Sequence, residues 1–275
     1  MRPRVGHIQF INCFPLFYGL IEKKFLLDID LIKGNPTDLN RMLYKNLLDL
    51  APIPSIAYAR NYQDYILMPD ISVSADGNVK SIYLFSKVPI DQLDRRKVAL
   101  TNISATSVAL LRIIMARGYN IVPDYFTSAP ELGAMLLEAD AALLIGDDAL
   151  RAKYHHDSHL YVYDLGQEWK KMTGKPMVFA VWAIREDYAE KHRQDIIKIR
   201  DTFTDSIRLS LEQIETVAAK AAEWEDFPPE YLVDYFRTLR FDFDHSKQEG
   251  LMEYYREAYN LGLVDSVPPL KIMDI

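Results

Sequence analysis

Apolar positions along the chain follow two spacings, and the change from one to the other divides the sequence. Up to about residue 185, apolar runs of strand length alternate with stretches in which apolar side chains recur every three or four residues. Val5, Ile8, Phe10 and Ile11 mark a short strand over 4–11, stopped by Asn12-Cys13-Phe14-Pro15. Asn35-Pro36-Thr37-Asp38 is a helix start, with Asn35 as N-cap and Pro36 in the first helical position, followed by Leu39, Met42, Leu43 and Leu47. A strand over 48–53 passes through Pro54-Ser55 into a short helix over 56–62. Further strands are expected over 80–87 and 97–102. Ser104-Ala105-Thr106-Ser107 then opens a helix over 108–117 that Gly118 can close. Ser128-Ala129-Pro130-Glu131 reads as a capping box for a helix ending near Glu138. Strands over 141–145, 161–165 and 177–185 follow, the first passed to a helix by Gly146-Asp147-Asp148.

From Glu186 onward only helical spacing remains, as in Ile196, Ile199, Phe203, Ile207 and Leu211, or Leu251, Tyr254, Tyr255 and Ala258. The βαβα alternation predicts an α/β protein with parallel sheets, helices on both faces and an all-helical C-terminal segment. Such sheets place ligands beyond the carboxyl ends of their strands. Two lobes are expected, residues 1–85 with 180–275 as one and 86–179 as the other, joined by strands near 83–88 and 179–184.

Composition narrows the function. The 275 residues carry 32 Lys and Arg against 39 Asp and Glu, a net charge of −7, the wrong sign for a protein that grips phosphate backbones. Nucleic acid is not an expected partner. The run over 5–21 is uncharged, but His7, Gln9, Asn12, Pro15 and Gly19 interrupt it, so neither a secretory leader nor a membrane span is expected and the location is read as cytoplasmic. Cys13 is the only cysteine, so no internal disulfide or thiolate cage can form. A homodimer is left open.

Four polar clusters fall where strands pass to helices or turns: Asn12, Ser55, Ser104 with Thr106 and Ser107, and Gly146 with Asp147. Each alone reads as ordinary capping. Together they read as a small-anion site, because helix N-termini aim backbone N–H groups and the positive end of the helix dipole at whatever lies above the strand ends. Ser81 opens a strand after the turn 74–80, as a hairpin serine or a site residue near the lobe junction. Tyr154-His155-His156-Asp157-Ser158-His159 resembles a metal cluster but has no matching ligand pair elsewhere and reads as a solvated loop. His7 and Cys13 read as structural, with nothing to set the imidazole against the sulfur. The GxGxxG, Walker A, HExxH, GxSxG and CxxC signatures are all missing, so neither a cofactor nor a metal is expected.

Seven segments in order, VGHIQFINCFPLFYGL, GNPTDLNRML, LDLAPIPSIAYA, ISVSADGNVKSIYLFSK, VALTNISATSVALLRIIM, DAALLIGDDAL and YDLGQEWKKMTGKPMVFAVWAIR, resemble the chorismate dehydratase family of the futalosine route to menaquinone. The resemblance spans roughly residues 4–185 and implies a type II periplasmic-binding-protein-like fold, with two α/β lobes closing on a ligand. The family sharing this fold, 1,4-dihydroxy-6-naphthoate synthase, carries a catalytic histidine in an Ile-His-Glu segment where this chain reads Ile145-Gly146-Asp147. Gly146 in that place weakens the second resemblance.

The first resemblance implies that chorismate is the substrate and that it loses water to give an aromatic enolpyruvyl benzoate. Ser104, Thr106 and Ser107 are then expected to hold the ring carboxylate, where charge gathers as the ring proton leaves. Ser55, Gly146 and Asp147 complete the expected substrate-binding set. Asn12 and Ser81 are the expected catalytic residues, orienting the substrate's own enolpyruvyl carboxylate as base and the departing hydroxyl. Asp147 is the alternative base. A non-catalytic binding protein for a small anion is the alternative outside enzymes, and an effector-sensing regulator fits less well because the acidic tail offers no basic DNA-binding module.

Overall fold

The computed structural model describes residues 2–22, 28–155 and 159–274, so His156, Asp157 and Ser158 of the histidine-rich segment lie outside the described residues. The strands in chain order are β1 (Arg4–Ile8), β2 (Asp30–Gly34), β3 (Leu50–Pro54), β4 (Tyr65–Ala75), β5 (Ile82–Ser86), β6 (Lys97–Thr101), β7 (Asp124–Ser128), β8 (Ala141–Ile145), β9 (Tyr161–Asp164), β10 (Met177–Arg185) and β11 (Leu239–Arg240). They form two sheets, of order β11-β4-β10-β3-β1-β2 and β7-β6-β8-β5-β9. The chain passes between the sheets at 76–81 and again at 174–176, on the N-terminal side of the strands expected to join the lobes.

The expectation of parallel sheets holds for half of each sheet. β1 runs parallel to β2 and β3, and β6 parallel to β7 and β8. By contrast β10 is antiparallel to β3 and β4, and β5 is antiparallel to β8 and β9. Apolar runs give strands but not their direction, and β5 and β10 are the strands by which the chain enters a sheet from the other side.

The strands that periodicity missed have physical reasons. β2 is an edge strand whose residues are mostly exposed, and β7 is also partly open to solvent. Within β4, Asp70 adopts φ +65, the left-handed region, in the middle of the strand. The pairing of β4 with β10 absorbs this by a register shift. The capping box at Ser128 is also corrected. Glu131 is itself the N-cap of helix Leu132–Glu138, its carboxylate accepting from the backbone N–H groups of Gly133 and Ala134.

The apolar run of β10 is buried from Met177 to Ile184, with Trp182 among the largest fully buried side chains. The C-terminal helices buttress this core. Helix Phe14–Glu22 lies on helix Arg193–Glu212 so closely that a Cβ on Gly19 would come within 2.7 Å of Ser206 Oγ, and Gly19 N–H donates to that hydroxyl at 2.9 Å. Helix His245–Asn260 sends two buried tyrosines to the strand-to-helix junctions. Tyr254 OH donates to Thr106 O at 3.1 Å and Tyr255 OH to Ser55 O at 2.9 Å. A single helix of the tail therefore ties together junctions belonging to both sheets.

Candidate active site

The junctions meet at a cleft between the two sheets. Ile8, Phe10, Val73, Ile82, Ile145 and Phe179 form apolar walls, and Pro36, Pro54 and Ala180 complete them. The polar groups facing it are Asn12, Ser81, Ser104, Thr106 and Ser107, with the backbone of Gly146. More open grooves lie on the outer surface, one of them between Ile207 and Asp242. The cleft takes strand ends from both sheets.

Ser104 is the N-cap of helix Ala105–Ile113. Its Oγ accepts from Ser107 N–H at 3.2 Å and donates to Ser107 Oγ at 2.9 Å. Thr106 and Ser107 are 2% exposed, so hydroxyls and first-turn N–H groups are presented in a nearly dry setting. Thr106 Oγ1 also accepts a long 3.4 Å hydrogen bond from Ile56 N–H of the other sheet's first junction helix. Among the described residues no lysine or arginine lines the cleft. Any positive potential there comes from helix-terminal N–H groups, the arrangement that binds a carboxylate without a salt bridge.

Asn12 sits in the short 3₁₀ turn Ile11–Cys13 that follows β1, and its Oδ1 is buried without a hydrogen-bond partner. An unmet buried acceptor costs about 1–3 kcal/mol, which a ligand donor would recover. Ser81 is 3% exposed, and its hydroxyl makes a long 3.5 Å contact to Val79 O and lies within reach of the Tyr235 phenol. Behind it lies the wholly buried phenol of Tyr235, without a well-formed hydrogen bond. The segment leading to Ser81 is held by Asp164, whose carboxylate accepts from the N–H groups of Val79, Lys80, Gly166 and Gln167. These bonds hold its pKa down against burial, which is the larger effect and leaves the pKa raised. Lys80 adopts φ +59, so the turn that delivers Ser81 is strained and pinned by that one carboxylate.

Two expected residues do not line the cleft. Ser55 is fully buried and donates to Val178 O at 2.8 Å, so its hydroxyl fastens the junction helix to β10. Asp147 turns its carboxylate to the backbone of the opposite junction, where Oδ1 accepts from Ile11 N–H at 3.1 Å. Burial raises its pKa to about 6, partly offset by that hydrogen bond. Burial also pushes the Cys13 thiol up to about 12, which keeps it protonated and poorly nucleophilic. The His7 ring stands 3.7 Å from the Phe17 ring and burial lowers its pKa to about 4, so it is a neutral core imidazole. Among the described residues no group of three His, Cys, Asp or Glu side chains is placed to hold a metal ion. The apolar walls, Phe10, Val73 and Phe179 above all, were not expected as site residues, although their positions at strand ends were the available signal.

Two sheets with a cleft of strand ends between them define a periplasmic-binding-protein-like fold, and solved structures share it. A protein of Archaeoglobus fulgidus superposes with a TM-score of 0.79 at 19% identity, covering 96% of this chain and 98% of that one. The periplasmic aliphatic sulphonate binding protein SsuA of Escherichia coli gives 0.72 at 18%, covering 99% and 92%. By sequence, residues 3–260 match the family described as menaquinone biosynthesis, and the chain belongs to that family. A chorismate dehydratase of Thermus thermophilus is 31% identical over 96% of this chain and 97% of its own length. A chorismate dehydratase of Campylobacter jejuni is 30% identical over 64% of each chain.

Proposed function

We propose that the protein is a chorismate dehydratase, a hydro-lyase of the futalosine route that converts chorismate to 3-[(1-carboxyvinyl)oxy]benzoate. The observation that carries this reading is a cleft with hydroxyl, amide and backbone N–H donors from both sheets but, among the described residues, no titratable side chain in its lining. The relative of matching length from Thermus thermophilus points to the same reaction. Chorismate is a dianion, and the cleft's helix N-terminus offers donors without strong counter-charge.

In this reading the ring carboxylate sits on the Ser104, Thr106 and Ser107 N-terminus. The ring carbon bearing the enolpyruvyl ether loses its proton to the substrate's own enolpyruvyl carboxylate, and the electron pair from that C–H bond delocalises toward the ring carboxylate. Asn12 and Ser81 orient the enolpyruvyl group and the neighbouring hydroxyl. The C–O bond then breaks, the hydroxyl leaves with the abstracted proton as water, and the ring becomes aromatic. Asp147 is the alternative base. Its carboxylate is engaged with Ile11 and lies outside the lining, which favours the substrate's own carboxylate. Gly146 adopts φ +61 beside Phe10, a left-handed backbone that strains any L-residue placed where the naphthoate synthase family has its histidine. A cytoplasmic location rests on the polar interruptions of the 5–21 run.

The test is to incubate purified protein with chorismate and follow the ultraviolet spectrum and product mass. The expected result is an aromatic enolpyruvyl benzoate. Chorismate bound but recovered unchanged would instead make this a binding protein.

A further inference from the structure

Beside the cleft mouth runs a second concavity, along helix Ala105–Ile113. Its polar lining includes Arg60, Arg112, Thr37, Asn102, Ser104 and Thr127, and no Asp or Glu lines it among the described residues. In a chain of net charge −7, this local excess of positive charge is notable for its position. Ser104 belongs to both the groove and the cleft, and Thr37 follows Pro36 of the cleft wall. The groove also spans the two halves: Thr37 and Arg60 flank strands of the six-stranded sheet, while Asn102, Arg112 and Thr127 flank or belong to strands of the other.

Neither arginine has an ion-pair partner among the described residues. Arg60, exposed at the end of helix Ser55–Asn61, makes only a long 3.4 Å contact to Leu263 O. Arg112 lays its guanidinium 5.0 Å from the centre of the Tyr125 ring, and its buried Nε has no hydrogen-bond partner. Arginines elsewhere, such as Arg4, Arg185 and Arg200, are each paired with aspartate. Two unpaired guanidiniums in one groove with hydroxyl and amide donors form an anion site, and a buried guanidinium edge left unmet is costly until an acceptor arrives.

We propose that this groove is a second anion site, an encounter site that captures organic dicarboxylates at the mouth before they pass Ser104 into the cleft. Its ligand identity rests on the dehydratase reading, because that reaction's substrate and product both carry two carboxylates. Capture outside the cleft gives an acidic protein a way to attract a dianion that its net charge repels, and steering of this kind acts on association rate.

The test uses Arg60→Gln, an exposed change that spares the fold, with Arg60→Lys as the charge-retaining control. Association of 3-[(1-carboxyvinyl)oxy]benzoate is followed by stopped-flow fluorescence over a range of sodium chloride concentrations. At low salt Arg60→Gln is expected to slow association about 5-fold, within the range of electrostatic steering, and to flatten its salt dependence. Dissociation and kcat for chorismate should stay unchanged, and Arg60→Lys should restore the rate. Association at the wild-type rate with the wild-type salt slope overturns the proposal, as does a loss confined to kcat. Wild-type protein that binds the product with the expected salt slope but leaves chorismate unreacted would sink the dehydratase reading and leave the groove standing.

Discussion

Ile11 donates its backbone N–H to Asp147 Oδ1 at 3.1 Å, joining the turn after β1 to the helix after β8 across the two sheets. Burial raises the Asp147 pKa from 3.8 to about 6, so the carboxylate is protonated in the fold at pH values where it would be ionised in the unfolded chain. Its contribution to stability is present below about pH 3.8 and lost as pH rises through about 6. Asp147→Asn removes that titration. The melting temperature of the variant relative to wild type should therefore rise between pH 4 and 7 and level off above, and a difference that does not change with pH would refute the assignment. In kinetics, the same variant with an intact fold should keep most of its turnover. A loss of several orders of magnitude would make Asp147 the base.

Gly146 adopts φ +61, and a Cβ there would lie 3.4 Å from three atoms of the Phe10 ring. Gly146→Ala should destabilise the protein by about 1–2 kcal/mol, the cost of left-handed backbone for an L-residue. It should also raise KM for chorismate, because the methyl group presses on a cleft wall. Thermal unfolding and steady-state kinetics measure the two effects separately.

Asn12→Ala and Ser81→Ala should lower kcat by about 10²-fold, the scale of removing one preorganised donor or orienting group at a reacting centre. Product affinity, measured by titration calorimetry, should change far less. Near-normal turnover in either variant would remove that residue from the catalytic list.

Replacing Thr106 with Val and Ser107 with Ala together should weaken both substrate and product binding by about 10-fold or more, since each hydrogen bond to a charged group is worth about 1.5–3 kcal/mol. The helix should survive, because Ser104 keeps its cap interaction with the backbone N–H of residue 107. Unchanged product affinity would sink the carboxylate cradle.

Much of the fold is legible from local pattern. Asn35 caps its helix through Oδ1 to Asp38 N–H at 2.8 Å, and β8 and β10 occupy the runs that apolar periodicity marks. Where local signals mislead, a tertiary partner has overridden them. Asp70 adopts φ +65 yet lies inside β4, because pairing with β10 outweighs one left-handed residue. Of the expected site residues, Asn12, Ser81, Ser104, Thr106, Ser107 and Gly146 line the cleft. Ser55 and Asp147 stand at the right junctions but point away from it.

What the sequence determined by itself is the set of junctions: strands ending in Asn12, Ser55, Ser104 and Gly146, each with the chemistry of a cap or a donor. Local preference settles this much because capping and strand termination depend on neighbours within a few residues. Only the tertiary structure decided which of those groups face one another. Val178 O takes the Ser55 hydroxyl and Ile11 N–H takes the Asp147 carboxylate, while Asn12 Oδ1 is left without a partner at the cleft. Those partners lie 123 and 136 residues away in the chain, and buried polar groups are committed by whatever the packed fold brings within reach, which local sequence does not encode.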